Sequence, residues 1–239
     1  GGAGDDAIWT AGGDDSAEGG AGADTLGGAL GDDTLSGGDG ADELWGAFGD
    51  DSLSGGADAD TIGGALGDDT VLAGAGDDEL WGAAGDDSLL GEQGADQIGA
   101  GIGDDVADGG AGDDLIFGGL GADTLRGGDG ADTLYGAAGD DVMAGGSGDD
   151  ALFVGPGADV VSFGAGDGVD TIHFLSLSED RISLEASLWG GGRTAAQVAA
   201  DFGSTAGADY RLDFGADALI LEGHGGTTDA TIAALIDIV

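Results

Sequence analysis

The stretch GGDGADELWGAFGDDSLS, residues 37 to 54, is one nine-residue unit written twice. Each half opens with glycine, carries aspartate in its sixth place and has a lone leucine or other apolar residue in its eighth. Eighteen such units follow one another from Gly1 to Ser162 without insertion or deletion. The sixth place is aspartate in all eighteen, and the fourth is glycine except at Asp58. A repeat this regular predicts a stacked solenoid.

Each unit divides into a glycine-rich turn of six residues and a strand of three. Glycine permits a positive φ in the turn, and the middle residue of the strand points inward. Two units make one coil, and coils stacked at about 4.8 Å place each sixth-place aspartate over the one eighteen residues later. Carbonyl oxygens of both turns surround the same gap. Carboxylate and carbonyl oxygens are the ligands that Ca²⁺ prefers, so the repeat predicts rows of calcium sites.

The composition agrees with a cation as the partner. The 239 residues include 49 acidic and four basic ones, for a formal charge of −45. This charge argues against nucleic acid or an anionic membrane as the partner, because either would need a basic surface. The sequence has no run of about 18 apolar residues, which a membrane-inserted helix would require. A disordered chain and a halophile's solvated surface are the other interpretations of so many acids. Aspartate kept in one place of nine favours the ligand role.

Metal binding is also expected to supply the folding energy. One core aliphatic residue in nine buries little apolar surface against the entropy cost of ordering the backbone. Without ligand we therefore expect a disordered chain, and with Ca²⁺ we expect folding that spreads from coil to coil.

The units resemble the G-G-x-G-x-D-x-U-x nonapeptide of the repeat-in-toxin (RTX) family, a calcium-binding β-helix repeat. The resemblance covers at least residues 1 to 162. It implies an all-β fold, a right-handed parallel β-roll or solenoid, with a row of Ca²⁺ along each edge and about sixteen ions if every gap is filled. It also implies that the side-chain ligands are the sixth-place residues Asp6, Asp15, Asp24, Asp33, Asp42, Asp51, Asp60, Asp69, Asp78, Asp87, Asp96, Asp105, Asp114, Asp123, Asp132, Asp141, Asp150 and Asp159.

Two further columns of residues are apolar. The ninth place of odd-numbered units holds Trp9, Trp45, Trp81, Phe117, Tyr135 and Phe153, with glycine between the tryptophans. The third place of even-numbered units holds Leu30, Phe48, Leu66, Ile102 and Leu120. We therefore predict one apolar edge and one polar edge. Three interpretations of the rings stay open: shielding of strand backbone at the glycines, an edge for self-association or for docking another part of the parent protein, and stacking on a carbohydrate.

The repeat ends before the chain does. FGAGDGVDTIHF (163 to 174) fits a nineteenth unit with two extra residues, which makes Asp170 a further calcium ligand and puts His173 in the aromatic column. Beyond it, DRISLEASL and YRLDFGADALILEG predict strands, and TAAQVAADF predicts a short helix ended by Gly203. We therefore divide the chain into a calcium-binding roll, residues 1–174, and a small β-rich C-terminal cap, residues 175–239, that covers the open end.

The last residues, Asp237, Ile238 and Val239, resemble the C-terminal export signals of RTX exoproteins, in which apolar residues follow an acidic one. The resemblance implies the type I secretion machinery as a partner, and a protein secreted by, or held on the surface of, a Gram-negative bacterium. Low cytosolic Ca²⁺ would keep the chain extended for export. The same residues also fit a last strand or helix of the cap.

No catalytic constellation is visible. The chain has no cysteine or lysine and two histidines, and its paired carboxylates recur along the repeat instead of converging once. We predict that this chain is not an enzyme. The sequence favours a calcium-dependent folding and type I secretion module of a bacterial extracellular protein. The alternatives are a self-assembling structural protein of the cell surface or matrix, of the S-layer or filament type, and a polysaccharide-binding module.

Overall fold

Strands of six residues alternate with short turns through most of the repeat region in the computed structural model, which describes residues 1–239. Each such strand spans the last three places of one unit and the first three of the next, as in Thr25–Leu30. The expected division into a six-residue turn and a three-residue strand is therefore wrong. The first three places also stack on identical places one coil later, so Leu30 pairs with Phe48 as Leu26 pairs with Leu44.

The strands of the repeat region are β1 (Gly2–Ala3), β2 (Ala7–Trp9), β3 (Ser16–Ala21), β4 (Thr25–Leu30), β5 (Thr34–Asp39), β6 (Glu43–Phe48), β7 (Ser52–Ala57), β8 (Thr61–Leu66), β9 (Thr70–Ala75), β10 (Glu79–Ala84), β11 (Ser88–Gln93), β12 (Gln97–Ile102), β13 (Val106–Ala111), β14 (Leu115–Leu120), β15 (Thr124–Asp129), β16 (Thr133–Ala138), β17 (Val142–Ser147) and β18 (Ala151–Phe153). They are followed by β19 (Val160–Phe163), β20 (Val169–His173), β21 (Arg181–Leu184), a 3₁₀ turn at Ala186–Trp189, α1 (Ala195–Phe202), β22 (Gly203–Ala206), β23 (Asp209–Asp213), β24 (Ala218–Leu221), α2 (Asp229–Ala233) and β25 (Ile236–Ile238).

These strands form two sheets that face each other across the core. Sheet A has twelve strands, the odd-numbered ones from β1 to β21 followed by β25, and sheet B has thirteen, the even-numbered ones from β2 to β20 followed by β24, β23 and β22. Neighbours in the repeat region are parallel and eighteen residues apart, as in the pair of Leu80 with Ile98. The expected all-β parallel β-roll is confirmed. No helix has the length and apolar character that a membrane crossing requires.

The core is a pair of ladders built from the eighth place of each unit. Leu44 and Leu53, from the two sheets, are each at most 1% exposed, and the same holds for the eighth-place residues from Leu26 to Val161. Because each unit contributes a single large apolar side chain, the core is thin, and the backbone ladders and the turns account for most of the remaining contacts. The turns are therefore the place where additional stabilisation must enter.

The tail completes the roll instead of forming a separate layer. Sheet A continues through β21 and β25, and sheet B through β24, which pairs parallel with β20. The predicted short helix is confirmed as α1, which begins after a capping box between Thr194 and Gln197 and ends at Gly203. The last-strand interpretation of the chain's end is confirmed by the pairing of Asp237 with Ser183. The boundary between residues 174 and 175 stays a prediction.

Candidate metal centre

The sixth-place aspartates form two columns, one along each edge of the roll. In each column, one carboxylate oxygen accepts a hydrogen bond from the backbone N–H of the aspartate one coil earlier. The N–H of Asp24 donates to Oδ1 of Asp42 at 2.7 Å, and that of Asp51 to Oδ1 of Asp69 at 2.8 Å. Strand pairing sets this contact, because it holds successive coils in register. Each carboxylate is thus fixed in the gap between two turns.

The second carboxylate oxygen is buried and has no hydrogen-bond partner. This holds for Oδ2 of sixteen consecutive sixth-place aspartates, Asp24, Asp33, Asp42, Asp51, Asp60, Asp69, Asp78, Asp87, Asp96, Asp105, Asp114, Asp123, Asp132, Asp141, Asp150 and Asp159. The residues that carry these oxygens are at most 3% exposed. A buried charged oxygen without a partner is costly, so a cation beside these oxygens would stabilise the folded chain.

Glycine in the first place of the unit leaves the region beside Oδ2 free of a side chain. A Cβ atom added to Gly19 would overlap Oδ2 of Asp24 and lie 2.8 Å from the carbonyl oxygen of Gly37 in the next coil. At Gly118 the same atom would overlap Oδ2 of Asp123 and lie 2.9 Å from the carbonyl oxygen of Gly136. A carboxylate oxygen and a carbonyl oxygen therefore border the same small space. This hard-oxygen donor set fits Ca²⁺.

Burial raises the pKa of most of these carboxyls above the ordinary value of 3.8, while the N–H of the preceding coil lowers it and neighbouring carboxyls raise it further. The pKa is raised to about 6 in Asp69, Asp96, Asp105, Asp150 and Asp159, to about 7 in Asp60, Asp87 and Asp114, and to about 8 in Asp170. The shift measures how poorly the protein alone accommodates the charged form. A divalent cation in the gap would favour that form.

The ends of the columns differ from the middle. Asp6 and Asp15 lie in the first coil and are partly exposed. Asp170 lies on the sheet B side, since its Oδ1 accepts the N–H of Asp150 at 3.2 Å, and its role as a calcium ligand stays a prediction. No group of three or more histidine, aspartate or glutamate side chains converges anywhere in the structure. Each gap instead combines carboxylate oxygens with backbone carbonyls.

Sequence reasoning missed Asp180. This residue is fully buried, and its Oδ1 accepts the N–H of Asp159 at 3.1 Å across a separation of 21 residues. Its Oδ2 accepts the N–H of Ser176 at 2.6 Å, so this aspartate satisfies both oxygens itself. The signal was present in the sequence, because Asp180 and Ile182 have the spacing of the sixth and eighth places. Two extra residues before Asp170 and one more between Asp170 and Asp180 concealed it.

The fifth-place acids form a separate ladder on the outside of the turns. The N–H of Asp68 donates to Oδ1 of Asp50, and that of Asp86 to Oδ1 of Asp68, both at 2.9 Å. These side chains are exposed, and the hydrogen bonds run in the opposite direction to those of the sixth place. They therefore cap the turns from outside and supply a field of negative charge around the gaps.

The ninth-place rings lie against the outer surface of sheet B. Trp45 covers Gly63, because a Cβ atom on Gly63 would lie 2.7 Å from the ring, and Trp9 and Trp81 cover glycines in the same manner. Farther along, the rings of Tyr135 and Phe153 stack at 4.5 Å. The shielding interpretation agrees with these contacts, although the choice among the three interpretations stays a prediction.

The stacked rings offer little free face to a ligand. Phe117 stacks on Tyr135 at 4.9 Å, and Phe153 on His173 at 4.2 Å, with nearly parallel planes. Tyr135 and Phe153 therefore have both faces covered by neighbouring rings. Because a sugar stacks on the face of an aromatic ring, this part of the column gives the carbohydrate interpretation no support.

The parallel roll and its two columns of buried carboxylates define a calcium-binding β-roll. The model of the RTX calcium-binding nonapeptide repeat family matches overlapping segments that together span residues 1–170. The chain belongs to this family. It binds calcium through these repeats.

Two solved structures resemble the chain. The R3 subunit of the AlgE6 mannuronan C5-epimerase from Azotobacter vinelandii is 31% identical, and the match covers 53% of this chain and 78% of that one with a TM-score of 0.43. The extracellular lipase LipA from Serratia marcescens is 17% identical, with 82% of this chain and 40% of that one covered and a TM-score of 0.43. No curated protein matches the chain.

Proposed function

We propose that this chain is the calcium-dependent folding and type I secretion module of a bacterial extracellular protein. The observation that carries the proposal is the series of sixteen buried Oδ2 atoms without a partner. Each opposes folding while no cation is present, and each favours folding once a cation binds. The proposed division is a calcium-binding roll, residues 1–174, followed by a capping and secretion region, residues 175–239.

The switch follows from where the ions are available. Extracellular calcium modules have dissociation constants of about 10⁻⁴ to 10⁻³ M, far above cytosolic Ca²⁺. In the cytosol the gaps stay without ions, and the repulsion within a chain of charge −45 favours the extended state that export requires. Outside the cell, binding in one gap orders the turns of the next coil. The number of buried oxygens without a partner supports about sixteen ions as an upper count.

The C-terminal residues support a double role for the tail. In the folded chain Ile236 is buried and β25 completes sheet A, so the end of the chain closes the core. In the unfolded chain the same residues are free to contact the secretion machinery. Placement of the whole module outside a Gram-negative cell, secreted or on the surface, follows from this proposal.

We also propose a non-enzymatic role for this chain. Its largest cavity, of about 320 Å³, includes Arg126, Ser162, Asp167 and Glu185 but no histidine or cysteine. The ring of His173 stacks on Phe153, and its Nδ1 contacts Glu222 at 2.5 Å.

A calcium titration followed by sedimentation velocity and far-ultraviolet circular dichroism tests the proposal. We expect an expanded, disordered particle in EGTA that becomes compact and rich in strand at millimolar Ca²⁺. Mg²⁺ at equal ionic strength is the control, because it screens charge equally but demands octahedral geometry and retains its waters. Strand content that is unchanged by EGTA would refute the folding switch.

A second candidate function is self-assembly through the apolar row, defined as Leu30, Phe48, Leu66, Ile102 and Leu120. These side chains are 48 to 58% exposed and lie in register on the edge of sheet B. Beside the row, second-place alanines take positive φ angles, such as 89° at Ala47 and 92° at Ala65. Such backbone costs of order 1–3 kcal/mol per residue, and strain of this kind is often found at functional surfaces.

The occupant that best matches the row is a second copy of the chain. Both rows then have the same spacing, about 4.8 Å per coil, so an antiparallel two-fold pairing brings apolar side chains together along the whole length. Replacement of Phe48 and Leu66 by serine should keep calcium-loaded molecules monomeric. The matched control changes Ala57 and Ala75, the corresponding places of the polar edge, to serine. Equal assembly by both variants would reject the row as the interface.

A further inference from the structure

The first place of each unit lies beside the sixth-place carboxylate of the same unit. Fourteen of the eighteen units have glycine there, and the exceptions are Thr10, Ala73, Ala100 and Val154. At a glycine such as Gly64 or Gly91, an added Cβ atom would overlap Oδ2 of the unit's own sixth-place aspartate. A side chain in the first place therefore occupies space that borders the carboxylate oxygen.

The three apolar exceptions are buried in the hydrophobic core. Ala73 and Ala100 are at most 1% exposed, and Val154 is fully buried. Their own aspartates, Asp78, Asp105 and Asp159, still carry Oδ2 atoms without a hydrogen-bond partner. By analogy with the glycine units, the Cβ atom of each of these residues is directed toward the Oδ2 atom of its own unit.

Thr10 shows independently that a first-place side chain enters the gap. Its hydroxyl donates to the carbonyl oxygen of Gly28, the first-place residue of the next coil, and lies 3.2 Å from the carbonyl oxygen of Gly27. In units with glycine the corresponding carbonyl oxygen lies near the carboxylate, as that of Gly37 does near Asp24. The hydroxyl group of Thr10 thus forms a hydrogen bond with a carbonyl oxygen that would otherwise be available to a cation.

We propose that the first-place side chain decides which gaps of the roll hold a calcium ion, and that Thr10, Ala73, Ala100 and Val154 close theirs. The inference rests on calcium binding in the columns, as proposed above. The roll then binds fewer ions than the sixteen or so of a roll in which every gap is filled. The row along each edge is interrupted, after Asp78 on one edge and after Asp105 on the other, because the closed gaps follow these residues.

Glycine substitutions test the proposal with little risk to folding, since they remove atoms and leave the backbone free. The double variant Ala73→Gly/Ala100→Gly should bind two more ions than the wild-type chain, counted by native mass spectrometry and by equilibrium dialysis with radioactive Ca²⁺. The matched control is Ala83→Gly/Ala137→Gly, which makes the same chemical change at positive-φ second places outside the gaps. Its ion count should equal that of the wild-type chain.

The reverse change closes open gaps. Gly64→Ala and Gly91→Ala should each lower the ion count by one, with circular dichroism at saturating Ca²⁺ to verify that the roll is folded. An unchanged, non-zero count in Ala73→Gly/Ala100→Gly would overturn gap closure while leaving the calcium-dependent module intact. A wild-type count of zero would overturn the module as well.

Discussion

Replacement of Asp69 by asparagine separates the two roles of a sixth-place aspartate. Oδ1 of Asp69 accepts the N–H of Asp51 at 2.8 Å, and an amide oxygen can continue to do so. Oδ2 has no partner, and in the variant it becomes an uncharged amide nitrogen that cannot bind a cation. The substitution therefore removes a metal ligand while it retains the contact between coils.

The expected loss follows from the linkage between binding and folding. A site with a dissociation constant of about 10⁻³ to 10⁻⁴ M contributes about 1.4 to 2.7 kcal/mol to the free energy of unfolding at about 10 mM Ca²⁺. Loss of one ion should therefore lower the stability of Asp69→Asn by this amount. In EGTA the sign reverses, because the variant no longer buries a carboxylate whose pKa is raised to about 6 by burial.

Thermal unfolding followed by circular dichroism, at 10 mM Ca²⁺ and at low Ca²⁺ in parallel, is a suitable assay. Asp68→Asn is the matched control: it makes the same change in charge one residue earlier, and its Oδ1 also accepts a backbone N–H from a neighbouring coil, at 2.9 Å. Its side chain is exposed, so we expect a change of less than about 0.5 kcal/mol. Equal losses in both variants would show that net charge, and not coordination, sets the stability.

Three other predictions concern protons, the core and the rings. Burial raises the pKa of Asp60 and Asp114 from 3.8 to about 7, so between about pH 7 and pH 4 only the folded roll binds these protons. In EGTA, circular dichroism should therefore show strand content rising as the pH falls through this window. No gain in strand content at pH 5 would contradict the burial argument. Leu134→Ala should lower the free energy of unfolding by about 2 to 5 kcal/mol in a denaturant titration with Ca²⁺, because Leu134 is fully buried in the core ladder. A loss below about 1 kcal/mol would mean that the core ladder contributes little to stability. Phe153→Ala should lower the free energy of unfolding by about 1 to 3 kcal/mol in the same titration, since it removes two stacked pairs of rings. Trp9→Ala should lower it less, because Trp9 is the first ring of the column and is 67% exposed. Equal losses in the two variants would argue against stacking as a source of stability.

Much of the site could be predicted because the repeat is local and in phase. A period of nine, with Asp in the sixth place and an apolar residue in the eighth, leaves only one way to stack identical coils, and stacking alone brings Asp42 over Asp24. The elongation of the strands from three to six residues could not be predicted from propensity. It results from pairing between coils, which overrides the low strand preference of glycine.

The tail was predicted less well, for a reason visible in two of its residues. Asp180 belongs to the column, yet it follows Asp159 by 21 residues, so a fixed period does not find it. Likewise His173 contacts Glu222, which lies 49 residues later in the chain, and no repeat connects these two positions in the sequence. In this region partners are selected by packing against the end of the roll.

The sequence by itself determined the period, the charge, the class of ligand and the residues that face the gaps, because each of these depends on spacing within two neighbouring units. The tertiary structure alone decided that Oδ2 has no protein partner, that Thr10 reaches the carbonyl of Gly28, and that β25 closes sheet A. These features depend on the distance between atoms of different coils. Only the stacked chain sets that distance, because hydrogen bonds between parallel strands fix both the separation and the register of the coils.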